Sequence, residues 1–340
     1  MMMKSTAFNI LAIILSIATL SSCEKILQLD ENKDNTLVIN AMATPDTTLI
    51  VSVSMPYSIN GAPRQNPYLD YYDYYQHIDS LYYKTLVPKS AIVTYSVNGG
   101  EQSGEMRYDA KSYNYVCDYR PKPGDKIHVK AEYLNVLAEM YHAEGSVEVP
   151  LSQPSVELVS KQVYYDECDR GFLDPTGRFD IYGADSIMAI TLKLKDVPGE
   201  RNYYRIRVRG IADIDGNDGS HTYSVTDMFT STDFLLTDRT LNAPFGNWPA
   251  YFTNIFDDHM FENGEYTITV MSRMRIGRSP RVLVDYQLIT PDYYFYLHSV
   301  YQYRIADNDL IADPIGIHSN MKEGWGILGA ANSSRLLIYY

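Results

Sequence analysis

The sequence predicts a mostly β fold. An N-terminal immunoglobulin-like β-sandwich occupies residues 36–150, and a second β-rich, sandwich-like domain occupies 151–340 and carries one helix near 291–305. Three observations predict this. Short runs rich in β-branched and aromatic residues recur from Thr36 onward, divided by turn residues. One Pro-bounded stretch, Val149-Pro150-Leu151-Ser152-Gln153-Pro154, separates two sets of such runs. A helical period emerges only once, after Thr290-Pro291-Asp292.

The first set opens with Thr36 to Met42 and Thr48 to Ser54, parted by the turn pair Pro45-Asp46. Ala91 to Val97 follows and runs into Asn98-Gly99-Gly100, a strong hairpin signal. Glu105 to Tyr108, Tyr113 to Tyr119, Lys126 to Tyr133 and Val136 to Val149 complete a seven-strand pattern expected of an immunoglobulin-like sandwich. One stretch, Pro56 to Val87, exceeds any sandwich turn and is crowded with tyrosines. Long insertions of this kind are usually functional or disordered, and so many aromatics argue against disorder, so Tyr71, Tyr72, Tyr74 and Tyr75 are candidates for a contact surface. The competing reading is a Tyr-rich flap that covers the sandwich edge.

The second set runs through Val156 to Val163, Ser186 to Leu194, Asn202 to Ile211, His221 to Phe229, Gly264 to Met274 and Arg281 to Ile289. Thr290 then stands where a helix cap belongs, with Pro291 at the first helical position. Tyr293, Tyr296, Leu297, Val300 and Tyr301 share one helical face. The chain closes with a Gly-rich segment, Glu323 to Gly329, and a strand from Arg335 to Tyr340.

The N-terminus reads as an export signal. Lys4 supplies positive charge, Phe8 to Leu20 forms a short apolar core, and small residues Ser21 and Ser22 precede Cys23. The apolar run falls short of the roughly 20 residues a spanning helix needs. Leu20-Ser21-Ser22-Cys23 resembles the bacterial lipobox, which implies cleavage after residue 22 and lipidation of the Cys23 thiol, with the bilayer as the first partner. Several acyl chains give a stable anchor where one is marginal. Residues 23–35 form an acidic tether, and Glu24 rather than Asp follows the cysteine, which favours the outer membrane.

The chain carries a formal net charge of −13, and the leader holds Lys4 but no acid, so the mature protein is more acidic still. That argues against nucleic acid and anionic surfaces as partners. Its 31 tyrosines against 10 phenylalanines suit amphipathic sheet faces, or a binding surface for sugar or protein. Beyond Cys23 only Cys117 and Cys168 remain; an oxidising compartment permits their pairing, and spacing alone does not decide it.

Few constellations suggest chemistry. Asp213, Asp215 and Asn217 alternate like calcium ligands, although Asp218 and Ser224 stand where an EF-hand needs Gly and Glu; the bland reading is a solvated hairpin turn. Asp257-Asp258-His259 looks like a metal or acid–base cluster, or a turn before Gly264. Acids at 166, 167, 169, 174 and 180 could supply glycosidase-like carboxylates, or be a solvated loop. Nucleophile-elbow, P-loop and zinc signatures are absent, so no catalytic residue, resident metal or cofactor is expected.

Several ordered pieces of the chain carry a family resemblance. Ile190 to Asp196 leads to Glu200-Arg201-Asn202-Tyr203-Tyr204-Arg205. Phe256-Asp257-Asp258 is followed by Phe261 and Gly264. Then come the helix from Asp292 to Tyr303, Asp313-Pro314, Ser319-Asn320 and the Gly324-Trp325-Gly326 loop. Together with Leu37 to Asn40 and Pro45-Asp46, these resemble the lipoprotein family of Bacteroidota defined by domain of unknown function 4249. The resemblance implies an outer-membrane setting beside TonB-dependent receptors and assigns no catalytic residue. Lys322-Glu323 ahead of Gly324 departs from a family pattern richer in glycine. The expected role is therefore a non-catalytic binding or accessory component. A glycan-active enzyme and a surface structural or adhesive protein are the alternatives.

Overall fold

The computed structural model describes residues 36–55, 87–165, 186–199, 201–215, 221–226, 229–231, 233–238, 251–274, 278–306 and 316–339. The protein is mostly β with several sheets and one α-helix near the C-terminus. In chain order the strands are β1 (Val38–Ala43), β2 (Ile50–Ser54), β3 (Ile92–Val97), β4 (Gln102–Glu105), β5 (Arg107–Asp109), β6 (Asn114–Val116), β7 (Lys126–Leu134) and β8 (Met140–Glu148). After the Pro-bounded linker come β9 (Ser155–Tyr165), β10 (Ser186–Lys195), β11 (Tyr203–Asp215), β12 (His221–Thr226) and β13 (Phe229–Thr230). The short strands β14 (Thr237–Asp238), β15 (Tyr251–Phe252) and β16 (Ile255–Asp257) precede β17 (Glu265–Met274) and β18 (Arg278–Ile289). Helix α1 (Pro291–Ala306) and strand β19 (Trp325–Tyr339) follow.

One long sheet underlies everything else. Its order is β12-β11-β18-β19-β1-β2-β6-β5, with β16 paired to β11. Two four-stranded sheets, β4-β3-β7-β8 and β13-β17-β10-β9, complete the main layers. Alternation explains the packing, because residues two apart on a strand share a face. Ile39, Ala41, Val51 and Val53 from the long sheet join Val93, Val97, Ile127 and Val129 in a first core. Tyr204, Ile206, Val208, Val282 and Val284 join Ile190, Leu192, Ile268 and Val270 in a second. The anticipated boundary at 150–154 lies between these two cores. The long sheet nonetheless passes through both, and Thr36–Tyr340 is one compact unit.

The strand that joins the cores is β19. Its first six residues pair in parallel with β1, from Val38↔Trp325 to Ala43↔Ala330. Its remaining length pairs antiparallel with β18, from Ile289↔Ala331 to Arg281↔Tyr339. Along one face, Leu328 and Ala330 enter the first core, and Ile338 enters the second. Between them, Asn332 donates to the linker carbonyl of Pro150 at 3.1 Å. Gln153 donates to the Ser333 carbonyl from the same linker. On the other face, buried Asp285 of β18 accepts from Arg209 of β11 and from Arg335 of β19, the latter at 2.7 Å. Arg335 reaches on to Asp46 in the β1–β2 turn at 3.1 Å. The linker and four strands or turns are thus fastened to one C-terminal strand.

Two glycines let β19 start where it does. Gly324 has φ +98, and a Cβ there would lie 2.4 Å from the Ala143 Cβ and 2.7 Å from the Leu37 carbonyl oxygen. Gly326 has φ +104, and a Cβ would fall 2.0 Å from the Ile39 carbonyl oxygen. Both conformation and space demand glycine. Gly326→Ala is expected to lower unfolding free energy by about 3 kcal/mol or more, combining backbone strain with a clash against β1. Chemical denaturation checks this, and a loss under about 1 kcal/mol would mean that the β1–β19 seam is loose.

Candidate functional site

Aromatic rings and charged side chains meet where β11 starts, β16 ends and α1 begins. Helix α1 takes its position from the long sheet. The Thr290 N–H donates to the Ala330 carbonyl at 3.0 Å, and the Ala330 N–H donates to the Thr290 hydroxyl at 3.2 Å. Tyr293 is buried, and its ring lies over Gly329 so closely that a Cβ there would meet Cδ2 at 2.5 Å. Tyr296, Leu297 and Tyr301 pack with Ile255, Ile289 and Ile327. This is the helical face that the period predicts. Arg205 donates to the Tyr293 hydroxyl at 3.2 Å, and Tyr301 donates to Asn254 at 2.8 Å, which fixes the helix azimuth.

The outward side of this junction is an aromatic strip. The Tyr203 ring lies 4.6 Å from Tyr294 and 5.5 Å from Phe295, centroid to centroid. Tyr294 stacks on His298 at 6.1 Å, and Phe295 meets the His318 ring edge-on at 5.9 Å. The Arg201 guanidinium sits over Tyr203 at 5.5 Å from the ring centroid. His318 closes the far end through Nε2 against the Asp292 carboxylate at 2.9 Å. Phe295 keeps 44% of its surface exposed, while Tyr203, Tyr294, His298 and His318 are half-buried. Rings held in mixed stacked, tilted and edge-on pairs present both faces and edges, which suits sugar rings or aromatic and peptide groups.

At the other end, Asp257-Asp258-His259 is a clamp. Asp257, nearly buried, accepts from Arg201 Nε at 3.0 Å and also binds Arg201 Nη2 and His259 Nδ1. It caps the 3-10 turn Asp258–Met260 by accepting from the His259 N–H at 3.3 Å. Burial pushes the Asp257 carboxyl up, but hydrogen bonds from Arg201 and His259 outweigh it and hold the group below its ordinary range. Asp258 points elsewhere and accepts from the Asn202 N–H at 2.7 Å. Adjacent acids therefore serve separate partners, as neighbours on an extended chain must.

Of the other sequence-based candidates, the described ones, Asp213 and Cys117, lie apart from this strip. Asp213 lies on β11 and takes a two-pronged contact from Arg281 of β18, at 3.1 and 3.0 Å. That arginine engages both Asp213 oxygens; the Asp215 side chain and Asn217 lie outside the described residues. So do Cys23, Tyr71, Tyr72, Tyr74, Tyr75, Cys168 and the acidic stretch 166–180. Cys117 is half-buried, its thiol pushed up by burial and bonded to the Leu49 carbonyl. Sequence reasoning missed Phe295, His298 and His318. The available signal was Phe295 itself, an aromatic lying off the helical face that Tyr293, Leu297 and Val300 define.

The model of one protein family, described as a domain of unknown function (DUF4249), matches residues 24–336. No curated protein matches the chain.

Asp257→Ala is expected to lower stability by about 2 kcal/mol at neutral pH, since it strips a partly buried charged acceptor from several donors. Arg201→Ala, with 64% of its side chain exposed, should lower it by under about 1 kcal/mol. Because the folded carboxyl titrates below the unfolded value of about 3.9, its contribution is present above that value and lost as pH falls through the folded one. Denaturation curves should show the gap between wild type and Asp257→Ala closing in acid. A gap that stays constant down into strong acid would contradict the clamp.

Proposed function

Since the chain belongs to that family of domain of unknown function 4249, we propose that it is a lipid-anchored protein of the bacterial outer membrane that binds a partner rather than catalysing a reaction. We assign the partner as a TonB-dependent receptor, for which this chain is an accessory component. The lipobox at Leu20 to Cys23 supports the anchor. The aromatic strip from Tyr203 to His318 carries the binding reading, because its neighbouring carboxylates, Asp257 and Asp258, are already engaged by donors of the fold. Glycoside hydrolysis needs two facing carboxylates about 5 to 9 Å apart and free to act. The Tyr71 to Tyr75 stretch is a second contact surface on sequence grounds.

One copurification series tests this. Tagged protein is recovered from its native membrane with the variants Cys23→Ala, Phe295→Ala with His298→Ala, and Tyr71→Ala with Tyr74→Ala. Cys23→Ala should leave the detergent phase. Phe295→Ala with His298→Ala should reduce the recovered receptor about tenfold or more at an unchanged melting temperature. Full receptor recovery with the strip truncated would remove the strip from the account. Glycan turnover by the purified protein would overturn the binding reading.

A further inference from the structure

The tip of the β7–β8 hairpin carries large apolar side chains that the fold does not use. Leu134 is 57% exposed, Val136 97%, Leu137 73% and Met140 50%. Isolated exposed residues of this kind need no explanation, but four within seven positions form a patch.

The tip is also prepared for removal from water. Asn135 Oδ1 accepts from the Leu137 and Glu139 N–H groups, each at 2.9 Å. The Asn135 N–H donates to the Glu139 carbonyl at 3.0 Å, and the Ala138 N–H donates to the Asn135 carbonyl at 3.1 Å. The Glu139 carboxylate accepts from Asn135 Nδ2 at 2.7 Å and from the Tyr141 hydroxyl at 3.3 Å. Much of the turn's polarity is satisfied within the turn, so burial there leaves those groups bonded. Behind the apolar residues stand the paired rings of Tyr133 and Tyr141, with centroids 6.4 Å apart. Aromatic rings with a polar end favour the headgroup level of a bilayer.

What covers the tip follows from where the chain enters the fold. Thr36 bridges His142 in parallel, and the Leu37 N–H donates to the His142 carbonyl at 2.9 Å. His142 is two positions from Met140. Cys23 precedes Thr36 by thirteen positions, a reach of at most about 45 Å even fully extended.

We propose that the Leu134–Met140 tip is a second membrane contact, entering the interfacial layer of the bilayer that holds the lipid on Cys23. This rests on the lipid-anchored reading above. The acyl chains hold the protein at the surface, and the tip sets which way it faces. Shallow entry to about 5 to 10 Å is enough for side chains of this size.

The test uses full-length lipidated protein reconstituted in vesicles of phosphatidylethanolamine and phosphatidylglycerol whose acyl chains are brominated. Val136→Trp places a fluorophore at the tip. Val159→Trp places one at an exposed position of β9 as control, and the unsubstituted protein corrects for Trp248 and Trp325. Detergent-phase partitioning of the same samples reads the anchor. The expected result is anchored protein whose Val136→Trp emission is quenched at least about twofold more than that of Val159→Trp, as interfacial depth requires. Anchored protein with equal quenching at both positions overturns the tip contact and leaves the lipid anchor standing. Protein that never enters the detergent phase overturns both. A photo-crosslinker at position 136 that captures polypeptide instead of lipid in native membranes overturns the lipid assignment.

Discussion

The fold depends on one constraint: its last strand must pair with its first. β19 lies between β18 and β1 in the long sheet, parallel to one neighbour and antiparallel to the other. Without it, β1-β2-β6-β5 and β12-β11-β18 would be separate sheets, each with an open edge carrying unpaired N–H and C=O groups. With it, both cores close against one continuous layer. The polar contacts follow the same plan. Asn332 and Ser333 take the linker, and Arg335 ties Asp285 to Asp46. Asp285 is buried, and a buried charge that loses its partners is far more damaging than a surface pair that breaks.

The candidate site inherits its geometry from that strand. Ala330 exchanges hydrogen bonds with Thr290, and Gly329 leaves room for Tyr293, so the start of α1 is set by β19. Once the inward face is seated on Ile327 and Ile289, Phe295 faces outward beside Tyr203, and His298 stacks on Tyr294. Arg201 and Asp257 then close the junction from the β16 side. A recognition surface built on a helix and a sheet end is more rigid than one carried on loops. The surplus of tyrosine divides accordingly. Tyr115, Tyr204 and Tyr286 are fully buried, while Tyr203 and Tyr294 bridge core and surface.

Much of this was legible in the sequence because it is local. Alternating apolar residues mark β1, β3 and β7, and the Asn98-Gly99-Gly100 turn joins β3 to β4. The Thr290-Pro291 start and the apolar face of α1 also follow from short-range rules. What escaped is non-local. Glu323 to Gly329 reads as a Gly-rich loop, yet β19 is one strand from Trp325 to Tyr339. Glycines are forced there by the approach of Leu37, Ile39 and Ala143, residues remote in sequence. Likewise the alternating acids at 213 and 215 give no sign that Arg281, which pairs with Ile211 on the ladder, reaches both oxygens of Asp213. Spacing along one strand carries no information about the neighbouring strand. The Asp257 clamp was half visible: the turn was anticipated, but Arg201, which makes the carboxylate a junction, lies across a strand pair.

The central claim is that β19 makes two hydrophobic cores one cooperative unit. Native-state hydrogen exchange across a denaturant series tests it most directly. It compares amides of β3 and β7 in the first core with those of β10 and β17 in the second. The account predicts that the slowest amides of both cores converge on one opening free energy with the same denaturant dependence. It also predicts that β1 and β19 amides join that isotherm. Two separate isotherms, with one core opening while the other stays protected, would contradict it.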